Sequence, residues 1–222
     1  MSINWIFFDV GGVLLDEAPL QEWKEENIVD LALTRGHLLT REDVWRAWTK
    51  ASGKTGSLAE NAIDLLVSNP KDAKAIKHEL RMRHQGMEKA AAEQTIRADA
   101  HATVEALSKR FSLGLLANQP FATKIRLRDA GLLTFFSSTT VSADTEYQKP
   151  DPLFFQEILK RTDARAERSV IVDDNIERGL VPAKQLGMTT VWMKTAERTD
   201  IPEGIVNFTI TRLSELLELK FK

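Results

Sequence analysis

Two short stretches limit the fold of this chain more than any others: IFFD at positions 6–9 and VIVDD at positions 170–174. Each is apolar at every position before it stops on carboxylates. Neither shows the alternation of a half-exposed strand, so each reads as a strand covered on both faces. That is the situation of a parallel sheet flanked by helices. The first run begins at Ile3 and is closed by Gly11-Gly12, the mark of a tight loop after a strand.

Between about 17 and 90 the pattern becomes helical. Leu20, Trp23, Ile28 and Leu31 form one stripe, Val44, Trp45 and Trp48 a second, and Leu58, Ala62, Leu65 and Leu66 a third. Breaks fall at Ser52-Gly53 and Asn69-Pro70. From about 95, helix and strand alternate. Ile96, Ala100, Val104 and Leu107 trace a helix, and the run Phe111 to Ala117 reads as a strand. A helix follows over about 121–130 and stops near Gly131, and SSTTV (137–141) reads as a strand. Asp151 is placed as an N-cap with Pro152 at the first helical position. After SVIVDD (169–174) come a helix to Leu186, a strand at 189–193, a strand near 205–210 and a closing helix with Leu213, Leu216 and Leu217. The expected fold is α/β, a Rossmann-like parallel sheet whose first strand is separated from the others by an all-helical insertion. Residues 1–16 and 92–222 should form the core domain and 17–91 the helical one.

Thirty basic side chains face 32 acidic ones, a net charge of −2, which removes the electrostatic case for nucleic acid or an anionic membrane as partner. There is no cysteine, so disulfides, thiolate metal sites and a Cys nucleophile are excluded together. No apolar run approaches the roughly 18 residues of a membrane span. The opening apolar run has no basic flank and is too short for a leader. The expectation is a soluble cytoplasmic protein, its oligomeric state left open.

In open α/β sheets, ligands bind at the carboxyl ends of the strands. Asp9 follows the first strand, Asn118 follows LLA, Asp173-Asp174 follow VIV, and Lys149 lies in the loop after a fourth strand. Singly, such residues are often helix caps or solvated lysines. Together at one sheet edge, the carboxylates can share a divalent cation, and an all-oxygen set without His or Cys favours Mg²⁺. A lysine beside that cation completes a site for a phosphoryl group.

FFDVGGVLLD (7–16), YQKPDPLFF (147–155) and VIVDDNIERGLVPAKQLGM (170–188) resemble the first, third and fourth motifs of the haloacid dehalogenase-like (HAD) hydrolases. The resemblance covers essentially the whole chain, and the helical insertion matches the family's mobile cap. It implies a phosphatase acting on a small phosphorylated metabolite, with Asp9 as nucleophile forming an aspartyl-phosphate. It further implies Mg²⁺ held by Asp9, the backbone carbonyl of Gly11 and Asp174, with Asp173 as a second ligand or outer-shell partner. Lys149 would pair with the nucleophile, and Gly12, Asn118 and Lys149 would bind the phosphate.

Three departures accompany the resemblance. Gly11 stands where family phosphatases usually carry a second Asp as general acid and base, help typically worth about 10²–10⁴-fold in rate. Asp16 or Glu17 is a candidate substitute. Ala117 stands where a Ser or Thr usually bonds the phosphate, a loss on the order of 1 kcal/mol. One extra residue lies between Asp174 and Gly187, so Glu177 and Arg178 receive no role. The alternatives are a slow or non-catalytic phosphometabolite-binding relative, suggested by Gly11 and Ala117, and a 2-haloacid dehalogenase, whose chemistry needs no metal. A receiver-type signalling domain also combines acids, lysine and Mg²⁺, but its paired acids follow the first strand. Ser52-Gly53-Lys54-Thr55 lacks the leading glycine and strand of a P-loop. His37, His78, His84 and His101 show no metal-ligand spacing. Trp23, Trp45 and Trp48 read as core, and Lys77 to Arg83 as a solvated helix face.

Overall fold

The computed structural model describes residues 2–195 and 201–221. In chain order the elements are β1 (Trp5–Phe8), β2 (Leu15–Asp16), α1 (Ala18–Leu33), α2 (Arg41–Ala51), α3 (Leu58–Leu66), α4 (Pro70–Met82), α5 (His84–Ala92) and β3 (Thr95–Ile96). There follow α6 (Ala100–Ser108), β4 (Ser112–Leu115), α7 (Phe121–Asp129), α8 (Pro152–Arg161), β5 (Ser169–Asp173), α9 (Val181–Gln185), β6 (Thr189–Met193) and β7 (Phe208–Ile210). The chain divides into two compact units, one made of residues 1–16 and 96–222 and the other of residues 17–95. The helical segment thus runs through Thr95, where the sequence placed its end at 91, because α5 is followed by a turn before β3. Of the expected core domain, residues 1, 196–200 and 222 lie outside the described residues.

The first unit is an α/β layer structure around a five-stranded sheet of order β4-β1-β5-β6-β7. Each neighbouring pair is parallel. β1 is buried on both faces as its composition demands. Ile6 and Phe8 point into one apolar cluster with Val104 and Leu107 of α6, while Phe7 points into the other with Phe154, Phe155 and Ile158 of α8. β5 divides in the same way, Val170 and Val172 to one side and Ile171 to the other. This period of two is the pleat itself, with helices covering each face. The register sets Phe8 opposite both Leu115 and Val172, so the residues just past these three strand ends share one edge of the sheet.

Two sequence expectations change here. SSTTV (137–141) is not a full strand: it touches β4 and the residues just after it through isolated bridges, Gly114 with Ser138 and Ala117 with Val141. Thr139 and Thr140 leave the ladder between them. The closing helix is a single 3-10 turn, Leu213–Leu217, whose Leu213 and Leu216 are buried in the core.

The second unit is built of α1 to α5, with its own core of Ile28, Leu31, Val44, Trp48, Ala62, Ile63, Ile76 and Leu80. The starts of α2, α3 and α4 carry side-chain caps. Thr40 and Asp43 form a reciprocal capping box on α2, and Asn69 caps α4 ahead of Pro70. In α3 the buried face is Ala59, Ala62 and Ile63, with Leu58 and Leu66 packed against the same core; of the predicted stripe Leu65 is the exposed member. Among the described residues, no helix is long and apolar enough to cross a membrane.

Candidate active site

Asp9 leaves β1 with its N–H still bonded to the Val172 carbonyl (2.9 Å), so the strand pairing itself fixes its backbone. The chain then turns sharply. Leu14 and Leu15 both donate to the Val10 carbonyl at 2.8 Å, and Val10, Val13, Leu14 and Leu15 are all buried. Inside that turn Gly12 adopts φ +68°, a region open to glycine. A Cβ there would also overlap Asp174 Oδ2, so the bare backbone at position 12 is what leaves room for the Asp174 carboxylate. From across the unit, Arg97 Nη1 donates to the Gly12 carbonyl at 3.4 Å.

Lys149 is held at both ends. Its N–H donates to Asn118 Oδ1 and its carbonyl accepts from Asn118 Nδ2, both at 2.8 Å. Two residues on, Asp151 accepts from the Leu153 N–H and caps α8, with Pro152 in its first turn. The Lys149 ammonium then donates to Asp9 Oδ1 and Asp173 Oδ2, each at 2.6 Å. Lys149 is 3% exposed, Asp173 1% and Asp9 8%. Burial alone would lower the Lys149 pKa, but the charges and hydrogen bonds of Asp173 and Asp9 outweigh it and hold the ammonium above the ordinary lysine range. At any neutral pH it is a buried cation between two carboxylates.

Asp9, Asp173 and Asp174 each present a carboxylate oxygen within 4.8 Å of the others. Three carboxylates at that spacing, without His or Cys, are a donor set that fits a hard divalent cation. The structure therefore brings together Asp9, Lys149, Asp173 and Asp174, with Gly12 against Asp174. The Asn118 amide is engaged with the main chain of Lys149, so its visible work is to place that residue. Ala117 offers no hydroxyl, and its carbonyl accepts from the Ser142 N–H at 2.9 Å. Asp16 is exposed at the end of β2.

The extra residue of the Asp174–Gly187 stretch has a structural account. Residues Ile176–Leu180 form a π turn that runs into α9, where the Val181 N–H bonds to the Ile176 carbonyl. A turn this wide holds one residue more than an α turn, which is what the expected extra residue requires. It also carries Arg178, whose pKa is lowered by burial and partly restored by the nearby charges of Asp173 and Asp9. Sequence reasoning gave Arg178 no role and did not single out Arg97. Arg97 had no local signal. For the π turn, the signal was the glycine at 179 inside an otherwise helical pattern.

A family model for haloacid dehalogenase-like hydrolases matches residues 3–187. The chain belongs to that family. As a HAD-like hydrolase it is 32% identical over 115 residues to the HAD-hydrolase YfnB of Bacillus subtilis, a stretch covering 51% of this chain and 49% of YfnB. That match thus spans about half the length of its relative. A longer match, 23% identical, joins it to the glyceraldehyde 3-phosphate phosphatase of Methanothermobacter thermautotrophicus over 96% of this chain and 98% of that one. Among solved structures, YfnB bound to magnesium superposes with TM-score 0.69 at 23% identity, covering 98% of both chains. At that identity the likeness is one of fold, and the HAD-like hydrolase has the Rossmann-like α/β core its sequence implied.

Proposed function

We propose that this HAD-like hydrolase is a Mg²⁺-dependent phosphatase acting on a small phosphorylated metabolite through an aspartyl-phosphate on Asp9. The observation that carries the reading is the buried Lys149 ammonium shared at 2.6 Å by Asp9 and Asp173, beside a third carboxylate. The phosphatase name of the long-matching relative and the magnesium bound to YfnB support it.

Asp9, Asp174 and the Gly11 carbonyl would hold the cation, whose charge would offset that of the phosphoryl oxygens. The work of this chain's own residues follows from their positions. The Asp9 carboxylate attacks phosphorus as the ester P–O bond breaks, and water then cleaves the acyl-phosphate to return Asp9 and release phosphate. Lys149 holds the Asp9 carboxylate by a hydrogen bond and gives the transferring group a fixed positive neighbour, the kind of preorganised charge that dominates such steps. Asn118 sets the Lys149 backbone, and Gly12 keeps a side chain out of the space beside Asp174. No side chain at position 11 can pass a proton to the leaving oxygen, so the ester either leaves unaided or draws on Asp16 or Glu17, the next carboxylates along the chain.

A second reading, a relative that binds phosphometabolites with little or no turnover, is favoured by Gly11 and Ala117. One assay separates the two. Purified protein with Mg²⁺ is offered a panel of phosphate esters, with Asp9→Asn and EDTA as controls. We expect phosphate release that falls at least 10³-fold in Asp9→Asn and stops with EDTA. Phosphate or beryllofluoride binding without release from any ester establishes the second reading instead, and metal-independent release overturns both.

A further inference from the structure

Trp192 lies on β6, where the register sets it beside Asp173 of β5. It is buried, in the apolar cluster that also holds Ile171, Leu180 and Met188. Its one polar atom is turned to the main chain just past the end of β5: Nε1 donates to the Asp174 carbonyl at 3.0 Å. The same peptide group is held at its other polar atom, because the Asn175 N–H donates to Asp173 Oδ1 at 2.8 Å. A peptide unit is planar, so one fastened at both its C=O and its N–H cannot turn without breaking a bond. On the other side of Asp174, Asp173 is still in the β5–β6 ladder. With the main chain fixed before and after it, the Cα–Cβ bond of Asp174 has a fixed direction. That bond carries the carboxylate for which the bare backbone of Gly12 leaves room.

We propose that Trp192 is a positioning residue for the divalent cation: by holding the Asp174 carbonyl it aims the Asp174 carboxylate, and so sets how tightly the cation is bound. This rests on the phosphatase reading in one respect, that Asp174 is a cation ligand, and adds a residue on the next strand that has no ligating atom. An indole N–H can only donate, so Trp192 acts on the cation solely through Asp174. Its effect belongs to affinity and not to the chemical step.

The test titrates the full chain with Mn²⁺ in metal-free buffer, without substrate, and counts the free ion by electron paramagnetic resonance. Trp192→Phe keeps an aromatic ring and removes the donor, so the Mn²⁺ Kd should rise about fivefold, the usual worth of one neutral hydrogen bond. Two controls separate this bond from packing. Met188→Ala removes contacts from the same apolar cluster; it should lower Tm and leave the Kd unchanged. Trp48 is buried in the helical unit, and its Nε1 has no hydrogen-bond partner among the described residues, so Trp48→Phe makes the same ring exchange with no bond to lose. It too should leave the Kd unchanged. In phosphate release, Trp192→Phe should raise the Mg²⁺ concentration for half activity by the same factor as the Kd, with kcat at saturating Mg²⁺ within about twofold of the parent. An unchanged Kd in Trp192→Phe overturns the proposal. So does an equal rise in either control, or a loss of turnover that saturating Mg²⁺ does not recover. No Mn²⁺ binding by the parent overturns it together with the phosphatase reading. Weaker Mn²⁺ binding by Trp192→Phe alone, with no release from any ester by the parent, leaves the role of Trp192 standing and sinks the phosphatase reading.

Discussion

Lys149 shows how a single residue can be legible in type and not in consequence. The KPDP segment marked it, yet nothing in the sequence says that its ammonium sits at 2.6 Å from two carboxylates 140 and 24 residues away. Removing it by Lys149→Met leaves Asp9 and Asp173 buried and facing each other. We expect a loss of about 3–5 kcal/mol in chemical denaturation, the usual cost of stranding a buried charge. The pH dependence has a definite sign. The folded-state pKa is raised, so the contribution is fully present below the unfolded lysine pKa of about 10.4 and declines only as pH rises through the higher folded value. The stability difference between Lys149→Met and the parent should therefore stay level from pH 7 to 9. A difference that shrinks across that range would mean the lysine is not held as this geometry holds it. Asp9 and Asp173-Asp174 were readable because apolar runs closed by acids are rare. Arg97 was not, because its hydrogen bond to Gly12 joins segments 85 residues apart.

At the scale of elements, what was readable followed from local chemistry. The cap of α8 is one case: Asp151 before Pro152 announces a helix start, and the structure has Asp151 accepting from the Leu153 N–H at 2.9 Å. Because that cap closes the loop carrying Lys149, Asp151→Ala should cost about 1 kcal/mol in stability, the ordinary worth of an N-cap. It should also lower kcat more than the same loss produces at the Asn69 cap of α4, compared as Asn69→Ala in the same phosphate-release assay. Equal effects on turnover from both caps would separate the α8 start from the chemistry. Elements defined by long-range pairing read less well. Residues 137–141 are rich in β-favouring threonine and valine, but their pairing depends on β4 and the residues just after it, and only two bridges form. The π turn at Ile176–Leu180 left only two faint marks in the sequence, a surplus residue and the glycine at 179.

For the whole molecule, the division of the chain into two units follows from two kinds of apolar pattern, runs in one and helical stripes in the other. The units have separate cores. A defect in one should stay there. Ile76 is fully buried in the helical core, and Ile76→Ala should cost about 2–5 kcal/mol. Hydrogen exchange should show the lost protection within residues 17–95, with the amides of β1 and β5 unchanged. Protection lost equally in those strands would show that the two cores unfold as one.

The sheet register has a consequence for how the chain is made. β1 is translated early, but it pairs Trp5 with Ser112 on one side and Ser169 on the other. At ordinary elongation rates of about 5–20 residues per second, that central strand spends on the order of ten seconds outside the ribosome before its second neighbour is synthesised. Until β4 and α6 are made, Ile6, Phe7 and Phe8 have neither ladder partners nor covering helices, and they are exposed to mispairing with other nascent chains. The helical segment made meanwhile has only contacts within itself to form, and can be complete before the sheet closes. Production of this protein should therefore be sensitive to chaperones that shield apolar strands while β1 awaits its neighbours.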